Sequence, residues 1–122
     1  MAELDLIDET FVVAEPAAVA AVVRDPRRWE RWWPDLRLAV FQDRGDAGIR
    51  WNVRGALTGS MEVWLEPYGD GVLVHHYVRC DPAGRDRIPP RERRRRQRAT
   101  KRLFWALKDE LEGDRAAGRG RT

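Results

Sequence analysis

The chain has 122 residues, 43% of them hydrophobic, with six Trp, a single Cys and a net charge of +3. That length forms one domain, burying roughly two thirds of its unfolded surface, and the apolar content excludes an intrinsically disordered chain. No apolar run approaches the ~20 residues of a spanning helix, the acidic start Met1-Ala2-Glu3-Leu4-Asp5 is unlike a signal peptide, and Cys80 alone makes neither an internal disulfide nor a metal site. The expectation is a cytoplasmic protein without a membrane span, metal or cofactor.

Residues 4–13 (LDLIDETFVV) read as a strand. Glu15-Pro16 starts a short Ala/Val-rich helix to about Val23. The segment Arg24-Asp25-Pro26-Arg27-Arg28-Trp29-Glu30-Arg31-Trp32-Trp33-Pro34-Asp35-Leu36 follows, with three Trp in five positions. Asp25 suits an N-cap and Pro26 the first helical position, while Pro34 forces Trp33 out of the helical region and ends a helix of about 26–33. Three large aromatics on two turns cannot share one face, so at least one looks away from the main core.

Four strand-like runs come next: Leu36–Asp43, Ile49–Gly55, Leu57–Glu66 and Val72–Arg79. Gly- and Asp-rich turns at 44–48, 55–56 and 67–71 favour sequential antiparallel hairpins. Alternation puts Ile49, Trp51, Val53, Met61, Val63, Leu65, Val72, Val74, His76 and Val78 on one face and leaves the other wetter. A loop, Asp81–Pro90, leads into a long helix, Arg91–Glu112, whose apolar stripe Leu103, Phe104, Leu107 and Leu111 suits covering that sheet. Residues 1–112 form the expected domain and 113–122 a frayed, disordered tail. With the first strand pairing with the last, the sheet order is 2-3-4-5-1.

The order β-α-α-β-β-β-β-α, the Asp-Pro-Arg-Arg-Trp-Glu-Arg-Trp-Trp-Pro-Asp segment and the strand Met61-Glu62-Val63-Trp64-Leu65-Glu66-Pro67 resemble the polyketide cyclase/dehydrase and lipid-transport family. That family belongs to the helix-grip (START-like, SRPBCC) superfamily, and the likeness covers about residues 4–112. It implies an α+β fold, a curved antiparallel sheet wrapped around the last helix, and a hydrophobic cavity between them. Five strands stand here where six or seven are common, so one hairpin is missing, which bears on the size of the cavity.

No nucleophile motif, phosphate loop or metal-ligand spacing is present. His75 and His76, adjacent on a strand, point to opposite faces and cannot act as one dyad or chelate one metal. The valine alternation turns His76 inward, as a candidate general base or, more plainly, a hydrogen-bonded wall residue. Trp64, between Glu62 and Glu66 on the wetter face, marks a candidate homodimer surface.

Charge is uneven. Between Arg85 and Arg102 ten basic residues face only Asp86 and Glu92, a local balance of +8, and the rest of the chain carries −5. Arg93, Arg94, Arg95 and Arg96 at the start of the last helix are a candidate anion site for phosphate, nucleic acid or an acidic partner. A solvated face neutralised by acids elsewhere is the favoured explanation, and 21 of the 23 basic residues are Arg, a bias that genome composition alone can produce.

These readings converge on binding of an apolar or aromatic small molecule, lipid- or polyketide-like, facing Trp33, Trp51, Val53, Met61, Val63, His76, Phe104 and Leu107. Binding is favoured over catalysis. The alternatives are a polyketide cyclase or dehydratase with His76 as base, and a nucleic-acid or acidic-partner module using Arg93–Arg96.

Overall fold

The computed structural model describes residues 2–84 and 87–117. Five strands, β1 (Leu4–Val12), β2 (Leu36–Asp43), β3 (Gly48–Gly55), β4 (Leu57–Tyr68) and β5 (Gly71–Pro82), form one antiparallel sheet in the order β1-β5-β4-β3-β2. That is the order expected from the sequence. Three helices, α1 (Pro16–Val23), α2 (Pro26–Trp32) and α3 (Pro90–Ala117), complete the fold.

Register aligns the apolar alternation of neighbouring strands. Leu6 faces Val78 and Asp8 faces His76 across β1–β5, Val63 faces His76 across β4–β5, and Trp51 faces Met61 across β3–β4. Side chains of one parity thus share one face, and that face is the core. At β2 the register slips between Val40 and Gln42, a bulge that leaves Phe41 unpaired and exposed at the open edge of the sheet. Gly48 opens β3 at φ 124°, where a Cβ would collide with the Val63 carbonyl, so only glycine lets β3 lie this close to β4.

Several boundaries differ from the sequence expectation. The β4–β5 ladder continues to Leu57–Pro82, so residues 81 and 82 belong to a strand rather than to the following loop. Trp33, at φ −134° and ψ 71°, lies just outside α2 because Pro34 disfavours a helical conformation in the residue before it. Helix α3 starts at Pro90, whose missing N–H costs nothing in the first turn, and runs five residues into the expected tail. Residues 118–122 of that tail, and Arg85 and Asp86 of the basic segment, lie outside the described residues.

Phe104 and Leu107 are buried and Leu103 and Leu111 half-buried, so the stripe on α3 faces the core as read. Polar bonds fix the helix along β1. Arg93 Nη2 donates to Glu3 O (2.8 Å), Lys101 Nζ to Glu9 O (3.1 Å) and Lys108 Nζ to Phe11 O (2.7 Å). Two further pairs tie the short helices down: Arg28 with Glu110 of α3, and Arg24 with Asp43 of β2, both bidentate. No helix among the described residues is long and apolar enough to cross a membrane.

Candidate functional site

Helix α2 is built as its sequence dictates. The Asp25 side chain accepts from Arg27 N at 3.0 Å, capping the first turn. Trp29 Nε1 donates to Val23 O at 2.7 Å, which locks α2 to the end of α1. Trp29 and Trp33 then meet Trp51 edge-on, with centroids 5.2 and 5.7 Å apart. Trp32 meets the Trp33 ring edge-on, with centroids 5.5 Å apart, and remains half-buried.

Beside this aromatic cluster lies a cavity of about 310 Å³. Its body is apolar: Leu4 and Leu6 of β1, Leu57 and Met61 of β4, and Val78 of β5, with Trp32 and Trp33 on the α2 side and Ala99 and Thr100 of α3 opposite. Its exposed members, Pro34, Asp35 and Arg95, mark the mouth, where Arg96 Nη2 donates to Asp35 Oδ2 at 2.5 Å. A larger depression of about 410 Å³ lies on the outer face of the sheet, walled by Asp5, Arg50, Glu62 and Arg79, and has no comparable apolar body.

Of the eight residues expected to face a ligand, the structure brings Trp33 and Met61 to this cavity. Trp51, Val53, Val63, Phe104 and Leu107 are buried in the core and do not line it. Strand alternation identifies the inner face but not the part of it that the helices leave uncovered. Helix α1 lies across β3, β4 and β5 and fills that half. The cavity lies toward β1, where the inward alternation of Leu4, Leu6 and Val78 is the signal that sequence reasoning could have used.

His76 is turned inward, 1% exposed, but belongs to a separate pocket of about 250 Å³ between β1 and α3. Its ring stacks on Trp33 and is tilted against Phe104. Neither ring nitrogen has a hydrogen-bond partner in the protein, which corrects the expectation of a hydrogen-bonded wall residue. Burial pushes its pKa down to about 4, against a smaller upward pull from the Asp8 carboxylate. The ring is therefore neutral at pH 7.

His75 lies on the outer face, as alternation requires, yet it is buried too. It is stacked between Trp64 and Tyr77, and its Nε2 is bonded to Glu66 Oε1 at 2.9 Å. Its Nδ1 is 3.1 Å from Glu9 Oε2 but outside hydrogen-bonding geometry. Trp64, the candidate homodimer residue, is spent largely on covering this imidazole and remains 37% exposed.

Arg93–Arg96 do not converge on one anion site. Arg93 caps Glu3 O, Arg95 and Arg96 both bond Glu92, Arg96 also bonds Asp35, and Arg94 points to solvent. Glu92 is held below the ordinary carboxylate range by the hydrogen bond from Arg95, against its partial burial, with Arg96 also close. Three of the four guanidinium groups thus have acceptors within the chain. No group of three or more His, Cys, Asp or Glu side chains among the described residues is arranged to hold a metal.

No family model matches the chain, and no curated protein matches it in sequence. Solved structures match its fold over almost its whole length. A START superfamily protein from Mycobacterium smegmatis aligns with a TM-score of 0.70 at 12% identity, over 89% of this chain and 97% of that one. One protomer of the Aha1 dimer from Colwellia psychrerythraea aligns with a TM-score of 0.68 at 12% identity, over 89% and 96%. DynU16, a protein of the dynemicin biosynthetic locus, aligns with a TM-score of 0.64 at 18% identity, over 88% of this chain and 47% of that one. The chain has the α+β helix-grip, START-like fold that the sequence resemblance implied.

Proposed function

We propose that the protein binds an apolar or aromatic small molecule, lipid- or polyketide-like, in the cavity walled by β1, β4, β5, α2 and α3. The observation that carries this reading is the cavity itself: an apolar body of about 310 Å³ beside Trp32 and Trp33, with its charged groups confined to the mouth. Ligand pockets run from roughly 300 to 1,000 Å³ and combine apolar walls with a few polar groups. This one stands at the small end, in keeping with a five-stranded sheet. It suits a medium-chain acyl group or a compact ring system. A cytoplasmic setting belongs to the same reading.

The cyclase or dehydratase reading has less behind it. His76, its one candidate base, borders a different pocket, and with a pKa of about 4 it is a weak base at neutral pH. The likeness to the dynemicin-locus protein supports a shared fold, not a shared reaction.

A panel of medium-chain fatty acids and polycyclic aromatics, titrated while Trp fluorescence is read, tests the binding proposal. Saturable changes at one site per chain are expected, because Trp32 and Trp33 line the cavity. Their absence across the panel would remove the ligand-binding reading and leave a scaffold.

A further inference from the structure

Building on the binding proposed above, on which this step rests, we infer that the apolar cavity selects a neutral carbonyl compound, a ketone or ester, over a free acid or a plain hydrocarbon. Two buried polar side chains line the cavity: Trp33 at the end of α2, 7% exposed, and Thr100 of α3, 8% exposed. Neither the Trp33 Nε1–H nor the Thr100 hydroxyl has a hydrogen-bond partner among the described residues. Unlike Trp51 Nε1 and the His76 nitrogens, which are sealed, both atoms keep accessible surface. An indole N–H only donates, and a hydroxyl donates as readily as it accepts. A hydrocarbon filling the cavity would strip water from both groups and return no bond, whereas a carbonyl oxygen gives them an acceptor.

The charges at the mouth decide against an acid, because they already cancel. Arg96 donates from Nε to Glu92 Oε2 at 2.9 Å and from Nη2 to Asp35 Oδ2 at 2.5 Å. Arg95 Nη2 bonds both oxygens of Glu92, at 2.6 and 2.7 Å. Two guanidinium groups thus meet two carboxylates, and apart from Asp35, Arg95 and Arg96 the lining residues carry no charge. A ligand carboxylate at the mouth would lie beside Asp35 and compete for a guanidinium that serves two acids. Deeper in, it would be an unpaired charge among Leu4, Leu6, Leu57, Met61 and Val78. A neutral carbonyl meets the donors and brings no charge to bury.

Three aromatics of equal carbon number, butyrophenone, butylbenzene and 4-phenylbutanoate, test this when titrated into the full chain with the six indole N–H signals read by NMR. The Trp33 signal should move saturably with butyrophenone. That ketone should bind about tenfold more tightly at pH 7 than either of the other two, the worth of about one net hydrogen bond. Thr100→Val keeps the side-chain shape, removes the hydroxyl and should weaken butyrophenone by up to about tenfold. If 4-phenylbutanoate or butylbenzene binds as tightly as the ketone, or the Trp33 signal stays in place while the ketone binds, the selectivity is overturned and the binding role of the cavity stands. If none of the three binds, the selectivity falls together with the binding reading beneath it.

Discussion

The indole of Trp33 lies flat on the imidazole of His76, with ring centroids 5.6 Å apart and planes 18° from parallel. Trp33 walls the apolar cavity and His76 walls the neighbouring pocket. The ring stack is thus the partition between the two, formed by the residue that ends α2 and the inward residue of β5. Its stability depends on His76 remaining uncharged.

That dependence gives a pH profile. Burial holds the folded pKa near 4 against an ordinary value of 6.5, so between these limits the unfolded chain carries a proton that the folded chain does not. Stability from this group is fully present above pH 6.5 and is lost as pH falls toward 4, to a total of about 3 kcal/mol. Urea unfolding at pH 7 and pH 4.5 should show a steeper loss in the wild type than in His76→Phe. Asp8 and Lys101, the charged groups nearest the ring, stay the same in both. Parallel profiles would mean that His76 is not desolvated as described.

Two neighbours on α3 report its facing. Phe104 is 1% exposed and packs on His76, whereas Trp105 is 56% exposed and has Lys101 Nζ 5.8 Å from its ring. Phe104→Ala should cost about 3–5 kcal/mol in chemical unfolding. Trp105→Ala should change stability by no more than about 0.5 kcal/mol. Equal costs would place the helix differently on the sheet.

Burial pushes the Cys80 thiol up to about 11, and its Sγ lies 3.6 Å from Ser60 O. Thiolate is the reactive form, so the native protein should resist a thiol reagent such as DTNB at pH 8 and react fully once unfolded. Rapid native-state labelling would mean that β5 opens at this end.

The fold was legible because its determinants are local. Asp25-Pro26 and Trp33-Pro34 bracket α2 by backbone chemistry alone, and the alternation along β5 turns His76 inward and His75 outward. The site was only half legible because its determinants are not local. Trp51 and Trp33 both read as inward aromatics, yet Trp29 and α1 pack out the space at one while the other borders a cavity. Pairing is subject to the same limit: Arg96 finds Asp35 across 61 positions, which no inspection of the Arg run alone discloses. Nor does alternation distinguish a hydrogen-bonded His76 from an unpartnered one, since that depends on what α3 presents to it.

Filling the cavity tests the central claim most directly. Ala99 lines it from α3, so Ala99→Leu places three more carbons in apolar space without touching the sheet. Thermal unfolding and ligand titration should be run on the same variant, using the best binder from the fluorescence panel. The account predicts that Ala99→Leu unfolds at an equal or higher temperature than the wild type and binds that ligand at least about tenfold more weakly. Undiminished affinity in a variant that folds as well as the wild type would contradict it, placing the ligand outside the cavity.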